Sequence, residues 1–133
     1  MLKVANTALT TVGAGTITAV AIMGQIITRS GPVGGFTDTT DTAAKICAGL
    51  TNMGNAGSVA DPVTWILTYI NTTGQTATLA AGSGVTLNSQ APTPGAGVLT
   101  VPASQAATIL VAVVPSAGVA TLTILSREAI ATV

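Results

Sequence analysis

Polar and apolar residues alternate through the middle of the chain. Between Val63 and Asn71, Val63, Trp65, Leu67 and Tyr69 share one face, while Thr64, Ile66, Thr68 and Ile70 share the other. A period of two is that of a strand, and apolar side chains on both faces predict a central strand between two layers. Shorter runs of the same kind follow at Thr76 to Ala80, Val85 to Leu87, Val98 to Val101, Thr108 to Val114 and Val119 to Leu125. Turn sequences separate them: Thr72-Thr73-Gly74-Gln75, Gly82-Ser83-Gly84, the proline-containing stretch from Asn88 to Gly97, and Pro115-Ser116-Ala117-Gly118. Short strands punctuated by glycine and proline predict a mainly β fold, an antiparallel β-sandwich or barrel of jelly-roll-like character.

Upstream the period changes. Ala43, Ile46, Cys47 and Leu50 follow the i, i+3, i+4, i+7 spacing of one buried helix face. Asp38 is placed as its N-cap, with Asp41 near the positive end of the helix dipole. Gly49 and Asn52 supply a stop, and Lys45 falls off the apolar face. One short helix is therefore expected, followed by a loop from Asn52 to Asp61. Before it, Leu9 to Val12 and Ile17 to Ile22 are β-prone runs around Gly13-Ala14-Gly15. Residues 1–30 are read as an extended N-terminal arm and 31–133 as the β domain. The uncharged run from Ala8 to Ile27 is diluted by Thr10, Thr11, Thr16, Thr18, Gln25 and several glycines. It lacks the ~20 predominantly apolar residues of a membrane span and is not read as a signal peptide.

Composition narrows the functions. Hydrophobic residues make up 48% of the 133 residues, aromatics 2% and charged residues 6%, against roughly a quarter charged in an ordinary domain. A disordered chain has the opposite bias. Four bases (Lys3, Arg29, Lys45, Arg127) balance four acids (Asp38, Asp41, Asp61, Glu128). No basic patch is available to neutralise phosphates, and aromatics for base stacking are scarce, so a nucleic-acid partner is not expected. A net charge of zero removes self-repulsion. A surface of Thr, Ser, Asn, Gln and Gly then suits a chain covered by neighbours.

Chemistry is hard to find. With no histidine, the Ser-His-Asp and Cys-His arrangements and the commonest zinc ligand are lost. Cys47 is the sole cysteine, which leaves no intrachain disulfide and suggests a buried thiol acting as a small hydrophobe. Asp38 and Asp41 bracket two threonines, but a calcium ion wants six to eight oxygens, and capping explains the spacing without one. No catalytic residue, metal site or cofactor is assigned. Arg29 is placed to pair with Asp38 or Asp41, fixing the intervening loop, or to meet a neighbouring subunit. With Thr16, Ile17, Val20 and Ile22 of the arm it forms the candidate interface set.

The segments Thr28-Arg29-Ser30-Gly31-Pro32-Val33-Gly34-Gly35-Phe36-Thr37-Asp38-Thr39-Thr40-Asp41-Thr42-Ala43-Ala44 and Ile70-Asn71-Thr72-Thr73-Gly74-Gln75-Thr76-Ala77-Thr78-Leu79-Ala80-Ala81-Gly82-Ser83-Gly84-Val85-Thr86-Leu87 resemble stretches of the capsid decoration, or cement, proteins of tailed bacteriophages. The resemblance runs from about Thr28 to Arg127 and rests on turn and cap sequences. It implies a β-rich virion protein, often trimeric, that binds the major capsid protein on the outer surface of the head and bridges coat subunits. The arm would then order by adding a strand to a neighbour's sheet edge. A phage fibre domain recognising host glycans is the alternative. It would need aromatic platforms on loops, whereas Trp65 and Tyr69 fall in the expected central strand.

Overall fold

The computed structural model describes residues 3–52, 62–89, 95–96 and 99–130. They form a mainly β structure. The strands are β1 (Ala5–Leu9), β2 (Gly15–Ile17), β3 (Gln25–Arg29), β4 (Phe36–Thr40), β5 (Val63–Asn71) and β6 (Ala77–Ala80), then β7 (Val85–Ser89), β8 (Gly95–Ala96), β9 (Leu99–Val101), β10 (Gln105–Val114) and β11 (Val119–Ala129). Two helices, α1 (Ala19–Gly24) and α2 (Ala43–Asn52), and a 3-10 turn at Pro115–Ala117 complete it. One sheet has seven strands in the order β1-β3-β5-β10-β11-β7-β8, and the other has four in the order β2-β4-β6-β9. Inward residues of both sheets, such as Leu67, Ile109 and Leu122 from one and Ile17, Leu79 and Leu99 from the other, belong to a single buried cluster.

The expected antiparallel arrangement holds for part of the ladder. β5–β10, β10–β11, β6–β9 and β7–β8 are antiparallel. However, β1–β3, β3–β5, β2–β4, β4–β6 and β7–β11 are parallel. The path of the chain explains this. From β1 to β6 successive strands alternate between the two sheets, so each return lands one place further along in the same direction. The Gly13 and Gly31 to Gly35 loops are arches from one sheet to the other, not hairpins within one. Parallel neighbours need a crossover of a dozen or more residues, and here each crossover carries a strand of the opposite sheet.

The same path overturns the expectation of a free N-terminal arm. Residues 1–30 supply β1, β2, α1 and β3, with β3 hydrogen-bonded between β1 and β5. Ile22 and Ile27 are fully buried. The run from Ile17 to Ile22, expected as a strand, turns helical after Thr18. The Thr18 hydroxyl accepts from the Ala21 N–H at 3.2 Å, and the Asp41 carboxylate accepts from the Ala19 N–H at 2.9 Å. Two oxygens thus satisfy the first turn of a helix too short to stand alone. The Trp65 indole donates to the Ile22 carbonyl at 2.9 Å, near the other end.

The helix expected from Asp38 begins instead at Ala43. Thr42 is placed as its cap, its hydroxyl accepting from the Lys45 N–H at 3.3 Å. Asp38 lies within β4, where Phe36, Asp38 and Thr40 face inward. The predicted helix face is found as expected: Ala43, Ile46, Cys47 and Leu50 are buried and Lys45 is exposed. β5, β6, β7, β9, β10 and β11 stand within a few residues of their expected positions. The sequence expectation placed β5 between two layers, but its outer face is open, with Ile66 44% exposed. Of the loop expected from Asn52 to Asp61, Asn52 instead ends α2 and the rest lies outside the described residues, as does most of the loop expected from Asn88 to Gly97. Among the described residues, no helix is long and apolar enough to cross a membrane.

Candidate functional site

A cluster of buried polar side chains sits where the arches stack. Arg29 ends β3 in one sheet and Asp38 lies in β4 of the other, and both are 0% exposed. The guanidinium grips the carboxylate with two bonds, Nε to Oδ2 at 2.8 Å and Nη2 to Oδ1 at 3.0 Å. The Tyr69 hydroxyl donates to Oδ2 at 2.6 Å, and the Gly15 N–H donates to Oδ1 at 3.1 Å. Both carboxylate oxygens are therefore saturated by four donors.

The rest of the guanidinium binds the first arch and the start of the second. Nη1 donates to the carbonyls of Thr11 at 2.7 Å and Ser30 at 2.8 Å, and Nη2 to that of Gly13 at 2.5 Å. Its Cζ lies 4.6 Å from the centre of the Phe36 ring, a cation–π contact. Arginine suits this role because its donors are fixed in a planar fork and its charge is permanent. Removing two charges from water costs several kcal/mol, recovered only when every donor and acceptor is matched. Here the matching is complete.

Local sequence makes room for the clamp. A side chain at Gly15 would place its Cβ 2.9 Å from Asp38 Oδ1. Gly31, at φ +106, lies against the Thr10 carbonyl, so only glycine fits between the first and second arches. Backbone bonds repeat along the stack, from Ser30 N–H to Leu9 carbonyl and from Thr72 N–H to Arg29 carbonyl, each 3.0 Å. Asn71 continues it. Its amide donates to the carbonyls of Gln75, Val101 and Pro102, and its oxygen accepts from Thr73.

Electrostatics agree with a structural role. Burial, and then the bond to Asp38, push the Tyr69 hydroxyl far above its usual range. Burial also pushes the Cys47 thiol up, and its sulfur lies 4.0 Å from the Val114 and Val119 carbonyls. The Asp41 carboxylate is occupied by α1 and, at 3.4 Å, by Lys45. A cation at Asp38 or Asp41 would have to displace these donors. Among the described residues, no three or more Cys, Asp or Glu side chains gather as a metal site.

The candidate interface residues are divided by this arrangement. Arg29, Ile17 and Ile22 are buried, so their side chains serve the chain's own core and clamp rather than a partner. Thr16 is exposed, and Val20 is 74% exposed. Val20 borders an open groove of about 270 Å³ with Lys3, Ala5, Met23 and Gly24, beside the edge strand β1. Trp65 and Tyr69 are buried, so neither offers a sugar-stacking surface. The void between the sheets, lined by residues such as Leu67, Tyr69 and Leu79, is about 10 Å³, too small for a ligand.

Sequence reasoning missed the surface that remains, the outer face of the seven-stranded sheet. Ladder register sets its rows: Ile66 beside Leu110 and Thr123, Thr68 beside Thr108, and Ile70 beside Ala106. Its signal was in the sequence, since the second face of Val63 to Ile70 carries only threonine and isoleucine. No protein-family model, curated protein or solved structure gives a significant match to this chain.

Proposed function

We propose that this chain is a non-enzymatic structural subunit of a phage virion, bound to the outside of the capsid and stabilising the shell by bridging coat subunits. The observation that carries the reading is where its few charges go. Arg29 and Asp38 are consumed inside the fold, and Asp41 caps a helix. What is left outside is broad and almost uncharged, suited to recognition by shape and contact area. The virion assignment rests on the resemblance of Thr28 to Ala44 and Ile70 to Leu87 to decoration proteins.

In this reading the two sheets form a two-layer sandwich, stiffened by the arch clamp, that presents flat faces to its neighbours. The partners are the major capsid protein and further copies of the chain. Burial of apolar area at ~25 cal/mol per Å² drives docking, and the symmetry of a shell multiplies modest contacts.

Co-sedimentation tests it. The chain is expected to pellet with assembled shells and to remain in the supernatant with unassembled coat subunits. Equal indifference to both would refute the proposal.

A further inference from the structure

We propose that the outer face of the seven-stranded sheet is a self-association surface, pairing face to face with the same surface of a second copy about a two-fold axis. It deepens the structural-subunit reading by naming a contact, and it stands or falls by a separate measurement.

Size is the first argument. Six adjacent strands, from β1 through β3, β5, β10 and β11 to β7, contribute to the face. At ~4.8 Å between strands and ~3.4 Å per residue over about seven residues, the footprint is roughly 700 Å². That is close to the ~800 Å² per partner of a standard stable interface. The groove beside Val20, by contrast, is lined by a few residues near one edge.

Charge is the second. The register puts Asn6, Ile26, Thr68, Thr108 and Ser126 in one outward row. Thr64, Ala112, Thr121 and Thr86 form another. Glu128, opposite Ala106 at one end of the face, is the formal charge that these rows reach. A charged partner would find little to recognise here, whereas an identical face meets it without like-charge repulsion.

Shape selects the second copy. Along β10 the outward residues are Ala106, Thr108, Leu110 and Ala112, and along β5 they are Ile70, Thr68, Ile66 and Thr64. A two-fold axis crossing the strands over Thr108 lays each Leu110 on the partner's Ala106 and each Ile66 on the partner's Ile70. Thr108 and Thr68 meet their own counterparts. Large residues thus face small ones on β10, and the two Glu128 side chains are kept several residues apart along the strands. Packing of this kind, with sheets ~10 Å apart and strands within about 30° of alignment, is how sheets stack inside proteins. A contact that is the same patch on both subunits closes as a dimer. It therefore competes with the trimer implied by the decoration-protein resemblance.

Sedimentation velocity on the full chain, without shells, tests the inference. A concentration-dependent dimer is expected. Ile66→Lys should weaken it at least about a hundredfold, because each copy would bury an unpaired ammonium. Val33→Lys, on an exposed arch, should leave it unchanged. Should Ile66→Lys fail to fold, Thr108→Arg places the charge on the axis. Oxidative footprinting of the unmodified chain needs no variant: Ile66 and Leu110 should be protected when concentrated and labelled on dilution. A monomer, a trimer, or a dimer with Ile66 and Leu110 labelled throughout would overturn the inference. Dimers that ignore capsids would refute the virion proposal alone, and monomers that pellet with capsids would refute this one alone.

Discussion

The N-terminal and C-terminal parts of this molecule are held by different means. In the C-terminal part the long strands β5, β10 and β11 form an ordinary antiparallel ladder. β10 pairs along its length with β5 and β11, its inward residues are Ala107, Ile109, Val111 and Val113, and all four are buried. In the N-terminal part the strands are short and mostly parallel, and the chain crosses between sheets at every arch. Strands of three to five residues bury little apolar surface each. There a buried ion pair and backbone carbonyls join the two sheets. The contrast teaches that scarce charge in a sequence can signify a concentrated structural use of it.

The largest effect should come from removing the polar clamp's scaffold. Deleting residues 1–24 takes away β1, β2 and α1 together with the Thr11 and Gly13 carbonyls that Arg29 binds. Loss of cooperative folding by circular dichroism is expected. A deletion that melts like the full chain would restore the picture of a detachable arm.

Next is the pair itself. Arg29→Met leaves the Asp38 carboxylate buried with its neutral donors alone and should cost about 3–5 kcal/mol in urea unfolding. A loss below about 1 kcal/mol would mean that water reaches Asp38 readily. Tyr69→Phe removes one bond to that carboxylate and should cost about 1.5–3 kcal/mol.

The same tyrosine gives a pH test. The hydroxyl titrates near 10.0 in the unfolded chain and higher in the folded one. Its contribution to stability is therefore whole below pH 10 and declines as the pH rises toward the folded value. Because Tyr69 is the sole tyrosine, absorbance of tyrosinate should appear together with unfolding and not before it. The smallest effect belongs to the apolar half. Ile109→Val, a methylene removed from a fully packed strand, should cost about 0.5–1.5 kcal/mol, with no dependence on pH.

How much could be read in advance follows the same division. Alternation of Val63 to Tyr69 and of Thr108 to Val114 fixes strand, face and burial, because one face packs and the other does not. The Ala43, Ile46, Cys47, Leu50 spacing likewise fixes the packed face of α2. Alternation cannot name a strand's neighbour, so the parallel pairings stayed hidden. α1 escaped because the alternation from Thr16 to Val20 reads as a strand, whereas oxygens from Thr18 and from Asp41, 22 residues away from Ala19, hold the first turn as a helix. Local sequence alone assigns Asp38 to a cap. Its alternation with Phe36 and Thr40 was the sign of an inward strand position, and the cost of burying it was already hinted at by the expected pairing with Arg29. The partners Tyr69 and Asn71, far along the chain, carried no local sign of the clamp.

If the charges serve the fold and the uncharged surface serves binding, the attachment of the chain to assembled shells should hardly respond to salt. Co-sedimentation measured from low to high ionic strength is the direct test. Affinity is predicted to hold or tighten as salt rises, since apolar contact is not screened. A steep fall in affinity with salt would show that charge makes the contact, and would contradict the account.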